Sequence, residues 1–149
     1  MTSNTVTRAD SLTELERQVS ILLRRIKKVI SVRAHLVHPD IQSASYLMLG
    51  WLDEHGPVRA SALADQFHID KGAISRQLQH LEELGLVERH PDPADGRATL
   101  VRVTPEAVRR LQDASAERRR WLDDRLADWS AERLGRFAAE LGAYNDALG

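Results

Sequence analysis

Apolar residues near both ends of the chain recur at alternating intervals of three and four residues. The N-terminal stripe consists of Leu12, Leu15, Val19, Leu22, Ile26 and Val29, and the C-terminal stripe consists of Leu134, Phe137, Leu141, Tyr144 and Leu148. This spacing is typical of the narrow seam along which one helix packs on another. The segment 40–104 between them is too small to cover both stripes, so we expect them to pack against each other and against a second copy of the chain. The pattern predicts a homodimer formed largely by residues 11–37 and 105–149.

Length and composition indicate one folded domain over residues 1–149. A chain of 149 residues with 42% hydrophobic and 29% charged residues is typical of a single globular domain. No apolar run approaches the roughly 18 residues of a membrane span, so no membrane partner is expected. The polar stretch 1–10 lacks the features of a secretory signal, which predicts a cytoplasmic protein. The absence of cysteine excludes disulfides, thiolate nucleophiles, iron–sulfur clusters and thiol-based sensing.

The first helix is predicted over 11–37. Ser11 and Glu14 have the spacing of a capping box, in which each side chain bonds the backbone N–H of the other residue. Pro39 stops this helix, because a proline disfavours helical backbone in the residue before it. A second helix is expected over 40–55, where a Gly-Pro turn follows it.

Two short helices joined by a tight turn are predicted next. The first of them carries the apolar residues Ala62, Leu63, Ala64 and Phe67. Asp70 can cap the second, in which Ile74, Leu78 and Leu81 share one face.

An extended pattern then replaces the helical one. Segments 86–90 and 97–104 flank the turn-rich segment 91–96, which predicts a two-stranded ribbon with a polar tip. Thr104 is a potential N-cap before a proline at the first helical position, so a long helix starts here and runs to about residue 128. Ser130 can cap a last helix. The predicted fold class is mainly α with a small two- to three-stranded β wing.

The face of the fourth helix that points away from its apolar positions carries Gly72, Ser75, Arg76 and Gln79. Arginine and glutamine side chains pair with guanine and adenine edges, serine bonds either bases or phosphates, and glycine allows close approach of the backbone. Lys71 lies at the helix N-terminus, where a phosphate also meets unpaired backbone donors. His80 flanks the same face. These residues predict DNA contact, and an ordinary solvated helix face is the alternative interpretation.

The tip of the predicted ribbon carries a second group of candidate DNA ligands. Arg97 follows Asp95 and Gly96, and the Asp95 carboxylate can orient its guanidinium. Arg89 stands near the other end of the loop. An arginine on a projecting hairpin suits a narrow, electronegative minor groove. The alternative is a surface salt bridge between Arg97 and Asp92 or Asp95, which would contribute little.

Four segments of the chain together resemble the winged helix-turn-helix of the MarR (multiple antibiotic resistance regulator) family. They are 61–64, 70–78, 81–89 and 92–97, with the sequences SALA, DKGAISRQL, LEELGLVER and DPADGR. The resemblance implies a homodimeric transcription factor, usually a repressor, that binds a pseudo-palindromic operator in double-stranded DNA. It also implies a winged helix-turn-helix lobe over 40–104, with its wing at 86–104, between dimerisation helices at 11–37 and 105–149.

The resemblance assigns roles to individual residues. The helix that matches 70–84 enters the major groove, and Arg97 enters the minor groove. Ser75 and Arg76 contact bases or phosphates, and Ser61 joins the candidate DNA-contacting residues.

Three positions depart from the family pattern. Arg59 stands where a serine or threonine often caps the next helix, so that cap is weakened or supplied otherwise. His68 replaces a common glycine, and histidine is among the residues that tolerate positive φ. Gly72 replaces a frequent serine or threonine and removes one hydroxyl contact.

Many relatives release DNA when a small phenolic or otherwise amphipathic ligand binds between the dimerisation helices and the DNA-binding lobe. Candidate lining residues for such an effector are His35, His38, Tyr46 and Trp51. The alternative is that these side chains simply pack the joint between helices. No histidine follows the wing, so carboxylates would have to complete a zinc site begun by His35 and His38. We therefore expect no metal and no cofactor.

The charge balance keeps a different class of function open. The 21 basic and 22 acidic residues give a formal net charge of −1, and Glu82 and Glu83 stand beside the candidate recognition helix. Both features disfavour a duplex, so a winged-helix module that binds protein is one alternative, and a regulator without an effector is another. No nucleophile–base pair or phosphate-binding glycine loop is visible in the sequence, so an enzyme is not expected.

Overall fold

The computed structural model describes residues 6–149, and this part of the chain contains six α-helices and three β-strands. The helices are α1 (Arg8–Val37), α2 (Ser43–His55), α3 (Ala60–Phe67), α4 (Lys71–Glu83), α5 (Pro105–Arg125) and α6 (Ala131–Leu148). The strands are β1 (Val58–Arg59), β2 (Val87–Asp92) and β3 (Asp95–Val103), which form an antiparallel sheet in the order β1-β3-β2. The chain divides into two compact units, one running to Ala114 and the other spanning Ser115–Gly149. The predicted fold class, mainly α with a small β wing, is confirmed.

Helix α1 begins one turn earlier than predicted. Thr7 is its N-cap, with Oγ1 accepting from the N–H of Asp10 at 3.1 Å and Oδ2 of Asp10 accepting from the N–H of Thr7 at 2.9 Å. The capping box predicted for Ser11 and Glu14 is therefore wrong. The hydroxyl of Ser11 donates to the Thr7 carbonyl, and Glu14 accepts from Arg17 instead. The earlier box satisfies the N–H groups of Thr7 and Asp10, and the N–H of Ser11 then bonds the Thr7 carbonyl within a helix that is a turn longer. The end of α1 agrees with the prediction.

Helix α2 begins later than predicted and ends where predicted. The expected first residue, Asp40, stays in the connection because its N–H donates to Nδ1 of His38 at 3.1 Å. Gln42 is the N-cap and makes no side-chain capping bond. The helix ends at His55, and Gly56 follows with a φ of 72°, a conformation that glycine adopts without strain.

The turn at the tip of the ribbon is shorter than predicted. The sequence predicts a turn over 91–96, whereas β2 runs through Asp92 and β3 starts at Asp95, so that only Pro93 and Ala94 connect them. Oδ1 of Asp92 accepts from the N–H of Ala94 at 2.9 Å and closes the turn. Because the turn is short, β2 and β3 extend closer to the tip of the ribbon than the sequence predicted.

Thr104 and Ser130 cap the last two helices, as predicted. In each case the side-chain oxygen accepts from the N–H three residues further on, at 3.1 Å. The Thr104 hydroxyl also donates to the carbonyl of Gly85 at 2.7 Å, which fixes the start of α5 beside the end of the helix-turn-helix. Helix α5 ends at Arg125, slightly before the expected position.

The core of the first unit gathers apolar residues from α1 to α5 and from the sheet. Its largest fully buried side chains are those of Ile41, Met48, Leu49, Leu52, Leu63, Ile74, Leu78, Leu81, Leu86, Val37, Val87 and Val101. Arg110 of α5 donates from Nη1 to the carbonyl of Val37 at 2.9 Å, which ties α5 to the last residue of α1. Helices α3 and α4 therefore pack on a well-filled hydrophobic core.

Most of both terminal stripes is left uncovered. In α1, Leu12 is 43% exposed and Leu22 is 44% exposed. Leu23 and Val32 are also exposed, so the apolar surface of α1 is wider than the predicted seam. Helix α6 contains no buried residue, and its Phe137 is 54% exposed. None of the described helices is both long and apolar enough to cross a membrane.

Candidate nucleic-acid interface

The turn between α3 and α4 fixes the angle at which α4 leaves the core. His68 ends α3 in the left-handed conformation, with φ 51° and ψ 43°, so the predicted tolerance of histidine at this position is confirmed. Asp70 caps α4 as predicted, with Oδ1 accepting from the N–H of Ala73 at 3.0 Å. The start of α4 is therefore held in place by its own cap.

Helix α4 buries one face and exposes the other, as its sequence predicts. Ile74, Leu78 and Leu81 are at most 1% exposed. The opposite face carries the exposed residues Gly72, Ser75, Arg76 and Gln79. The amide of Gln79 donates to Glu83 at 3.3 Å, a long contact. Within residues 6–149, the side chains of Lys71 and Arg76 form no ion pair, so both cations stay available to an external anion.

Gly72 leaves room for the cap of α4. A Cβ at this position would lie 3.1 Å from Oδ1 of Asp70 and 3.5 Å from Nη1 of Arg76. The guanidinium of Arg76 therefore extends back over the first turn of the helix. The glycine allows the capping carboxylate and this guanidinium to share one end of α4.

Three other predicted site residues lie on α3, on α4 itself and on β2. Ser61 is exposed in the first turn of α3. His80 lies with Nε2 3.1 Å from the carbonyl oxygen of Asp40, so one of its ring nitrogens is engaged with the α1–α2 connection. Arg89 lies within β2, where its Nε donates to Glu82 at 3.2 Å. Of the predicted cations, Arg89 is thus partly neutralised by Glu82, an acidic residue in the last turn of α4.

The tip of the wing presents Arg97 without an acidic partner. Oδ1 of Asp95 accepts from the backbone N–H of Arg97 at 3.1 Å, so Asp95 orders the backbone rather than the guanidinium, contrary to the expectation. The alternative of a surface salt bridge with Asp92 or Asp95 is not seen either, since both carboxylates face Arg59. In the described part of the chain, the Arg97 guanidinium forms no ion pair.

Arg59 and Asp92 form a contact that sequence reasoning missed. Nε and Nη2 of Arg59 donate to Oδ2 of Asp92 at 2.9 and 2.7 Å. Asp92 is buried, and the bonds from the Ala94 N–H and from Arg59 hold the pKa of its carboxyl below the ordinary value of 3.8. The available signal was Arg59 itself, an arginine where a capping side chain is common, but nothing in the sequence indicated its partner.

The four candidate effector residues have separate surroundings. Nδ1 of His35 lies 2.7 Å from the carbonyl of Ser31. The ring of Trp51 stacks on His55 at 4.1 Å between centroids and meets Phe67 edge-on at 6.3 Å. His38 and Tyr46 are half-buried, and His38 accepts from the N–H of Asp40. For Trp51 these contacts are those of a packing residue.

Comparisons with known proteins identify the family. The sequence pattern of the MarR family matches residues 40–98, which include the helix-turn-helix and the wing tip. The HTH-type transcriptional regulator YxaD of Bacillus subtilis is 34% identical over 109 residues, which cover 73% of this chain and 76% of YxaD. This chain belongs to the MarR family. It is therefore a transcriptional regulator with a DNA-binding helix-turn-helix, and its relatives are regulators rather than enzymes.

Solved structures share the fold of this MarR family chain. A MarR family protein from Bacillus stearothermophilus superposes with a TM-score of 0.77 at 22% identity, covering 95% of this chain and 98% of that protein. The wild-type apo MarR of E. coli superposes with a TM-score of 0.68 at 21% identity, covering 87% and 96%. The likeness supports the winged-helix architecture.

Proposed function

We propose that this MarR family regulator binds a pseudo-palindromic operator as a homodimer. The observation that carries the proposal is the set of unpaired cations on one lobe, Lys71 and Arg76 on α4 and Arg97 on the wing. Cations without intramolecular partners can be neutralised by phosphates or can pair with base edges without first breaking a salt bridge.

Each element has its own part in this proposal. Helix α4 enters the major groove, where Ser75, Arg76 and Gln79 meet bases or phosphates. Lys71 holds a phosphate at the N-terminus of α4, and Arg97 enters the minor groove. Ser61, His80, Arg89 and Gly72 are the remaining proposed DNA contacts. Asp95 contributes indirectly, because it bonds the backbone of Arg97.

The electrostatics favour specific binding over general attraction to DNA. The segment 41–85, which includes α4, carries three basic and six acidic residues, and the whole chain has a formal charge of −1. Non-specific affinity, which depends on the number of neutralised phosphates, is therefore low, so that a modest rise in salt brings it below detection.

The uncovered stripes of the terminal helices support the dimer. The exposed apolar residues of each of these helices, α1 and α6, are ones that a second copy would bury. A symmetric dimer presents two α4 helices, which must reach successive major grooves about 34 Å apart. A modest rotation of the lobes changes this separation and is enough to abolish binding.

As the finer part of the proposal, the protein is a repressor that is released by a small phenolic or otherwise amphipathic ligand. His35, His38, Tyr46 and Trp51 are the proposed contacts. Phenolic acids added to a preformed complex should release the duplex from the wild type. Tyr46→Phe, which removes one hydroxyl, should bind DNA normally and resist release. A complex that no such ligand dissociates would indicate a regulator without this effector.

A gel-shift experiment tests DNA binding. The duplex is the region upstream of the protein's own gene, the competitor is a shuffled duplex, and the salt concentration is varied. We expect a salt-sensitive complex with the upstream duplex that Arg76→Ala weakens. Arg109→Ala is the matched control, because Arg109 is also an exposed arginine but is paired with Glu106 on α5. If no salt-dependent complex forms, DNA binding is rejected and a protein-binding winged helix becomes the better explanation.

A further inference from the structure

Arg59 occupies the N-cap position of α3 but does not cap the helix. Its backbone is extended, and its side chain makes no bond to the backbone donors of the first turn of α3. The guanidinium instead reaches residue 92, at the far end of β2. A capping interaction at the start of α3 is thus replaced by a link between the helix-turn-helix and the wing.

Both carboxylate oxygens of Asp92 accept hydrogen bonds at the wing tip. One oxygen receives both donors from Arg59, and the other receives the N–H of Ala94 across the two-residue turn. The side chain of Asp92 is 11% exposed, whereas that of Arg59 is 46% exposed. Asp92, the buried member of the pair, therefore bonds the turn, and Arg59 covers it on the solvent side.

A second carboxylate extends this arrangement to Arg97. Oδ2 of Asp95 lies 3.9 Å from Nη2 of Arg59, and Oδ1 of Asp95 accepts from the backbone N–H of Arg97. Arg59 therefore lies against the two acids that border the turn, and one of these acids holds the backbone of the proposed minor-groove residue.

We propose that Arg59 is a positioning residue for DNA binding, which fixes the wing tip against the start of α3 and so sets the place from which Arg97 reaches the minor groove. The inference rests on the proposed function. Without the guanidinium, the β2–β3 pairing remains, but the tip samples more orientations. Binding must then restrict those orientations, and the affinity falls.

Direct contact between Arg59 and a phosphate makes a different prediction. A phosphate ligand acts through its own charge, so its loss adds to the loss of Arg97 and is independent of Asp92. A positioning residue acts through Asp92 and Arg97. Substituting it should therefore have no further effect on affinity once either of those two residues has been removed. A double-mutant cycle separates the two roles.

For each variant in the cycle, we measure the affinity for the duplex that the wild type binds. We expect Arg59→Ala and Asp92→Asn each to weaken binding about tenfold, and Arg59→Ala to add no more than about twofold in a background of Asp92→Asn or Arg97→Ala. Arg59→Lys should restore only part of the loss, because one ammonium cannot supply the paired Nε and Nη2 donors. Full rescue by lysine, or additive losses, would overturn the proposal.

Backbone hydrogen exchange in the free protein gives a readout that needs no DNA. Arg59→Ala should increase the exchange rates of the Ala94 and Arg97 amides, whereas Arg102→Ala, which breaks a cross-strand pair with Glu88 on the same ribbon, should leave them unchanged. Unchanged exchange at Arg97 in Arg59→Ala would overturn the proposal.

The two proposals fail in different ways. If the wild type forms no salt-dependent complex, the proposed function is rejected, and the role of Arg59 in DNA binding is rejected with it. If the wild type binds but the cycle is additive, only the positioning role is rejected. The Asp92→Asn background keeps the test valid if an unpaired Asp92 unfolds the Arg59→Ala protein, because it removes the buried charge.

Discussion

At the scale of single residues, the charged side chains of this protein fall into two groups. Some arginines on the helix surfaces pair with an acid within one turn, as Arg17 does with Glu14 and Arg109 with Glu106. These pairs hold the pKa values of both glutamates at about 2. The side chains of Arg76 and Arg97 have no such partner in the described chain. We assign these two to DNA because Arg76 lies on the exposed face of α4 and Arg97 lies near the tip of the wing.

Arg97→Ala should weaken operator binding about tenfold to a hundredfold, the range for loss of a specific arginine contact. The slope of log affinity against log salt concentration should also decrease in magnitude by about one. Titrated gel shifts at several salt concentrations measure both quantities. Sedimentation should show the same oligomer as the wild type, and dissociation into monomers would mean that the dimer interface has been misplaced.

Asp92 should contribute to stability only while it is ionised. Its pKa is lowered in the folded protein, so this contribution is complete above the ordinary value of 3.8 and is lost as the pH falls through the lower folded value. Asp92→Asn, which is neutral at every pH, should therefore be less stable than the wild type near neutrality. Below pH 3.8 the two unfolding midpoints should converge. A difference that persists in acid would show that the carboxylate charge is not what the fold uses.

At the scale of secondary-structure elements, the sequence predicted what local chemistry decides. The caps at Asp70, Thr104 and Ser130 and the buried face of α4 follow from residue type and spacing within one turn, and all are confirmed. The start at Ser11 is wrong because an equivalent box at Thr7 lies just outside the apolar pattern on which the prediction relied.

The wing was less predictable because a distant residue determines its tip. The segment 91–96 is rich in residues typical of turns, yet Asp92 lies in a strand, because Arg59, 33 residues earlier in the chain, binds its carboxylate. The strand β1 has two residues, too few for alternation to be recognised. The sequence thus indicated which residues to propose as DNA contacts, but it did not indicate the contact between Arg59 and Asp92 at the wing tip.

His68→Gly should stabilise the protein by about 1 kcal/mol, because a left-handed conformation is strained for residues with a Cβ. Gln66→Gly is the matched control. It introduces the same residue two positions earlier, inside α3, and should destabilise by about 1 kcal/mol. Chemical denaturation measures both. A loss of stability in His68→Gly would indicate that the imidazole makes a contact worth more than the backbone strain.

At the scale of the whole molecule, the exposed apolar residues of α1 and α6 are the strongest sign of a second copy. Single exposed leucines are common on protein surfaces, but here they recur along helices. The proposed DNA geometry also requires two recognition helices, so in the proposed dimer the apolar residues of these helices would determine both assembly and function.

Leu22→Lys should convert the proposed dimer into monomers, because it places a charge in the apolar stripe of α1. Leu47→Lys is the control. Leu47 lies on α2, outside both stripes, and is 45% exposed, against 44% for Leu22. Analytical ultracentrifugation separates the outcomes, and the Leu22 variant should also lose DNA binding. Equal effects of the two substitutions would reject α1 as part of the interface.

Helix α6 has no buried residue, so its order must depend on what covers it. In the proposed dimer that cover is supplied by association, and mass action makes it depend on the amount of protein present. A protease that attacks opened segments would then cleave the C-terminal end faster in dilute solution than in concentrated solution. In a cell, the lifetime of the regulator would lengthen as its copy number rises. A higher copy number would therefore slow the loss of the protein and raise the copy number further.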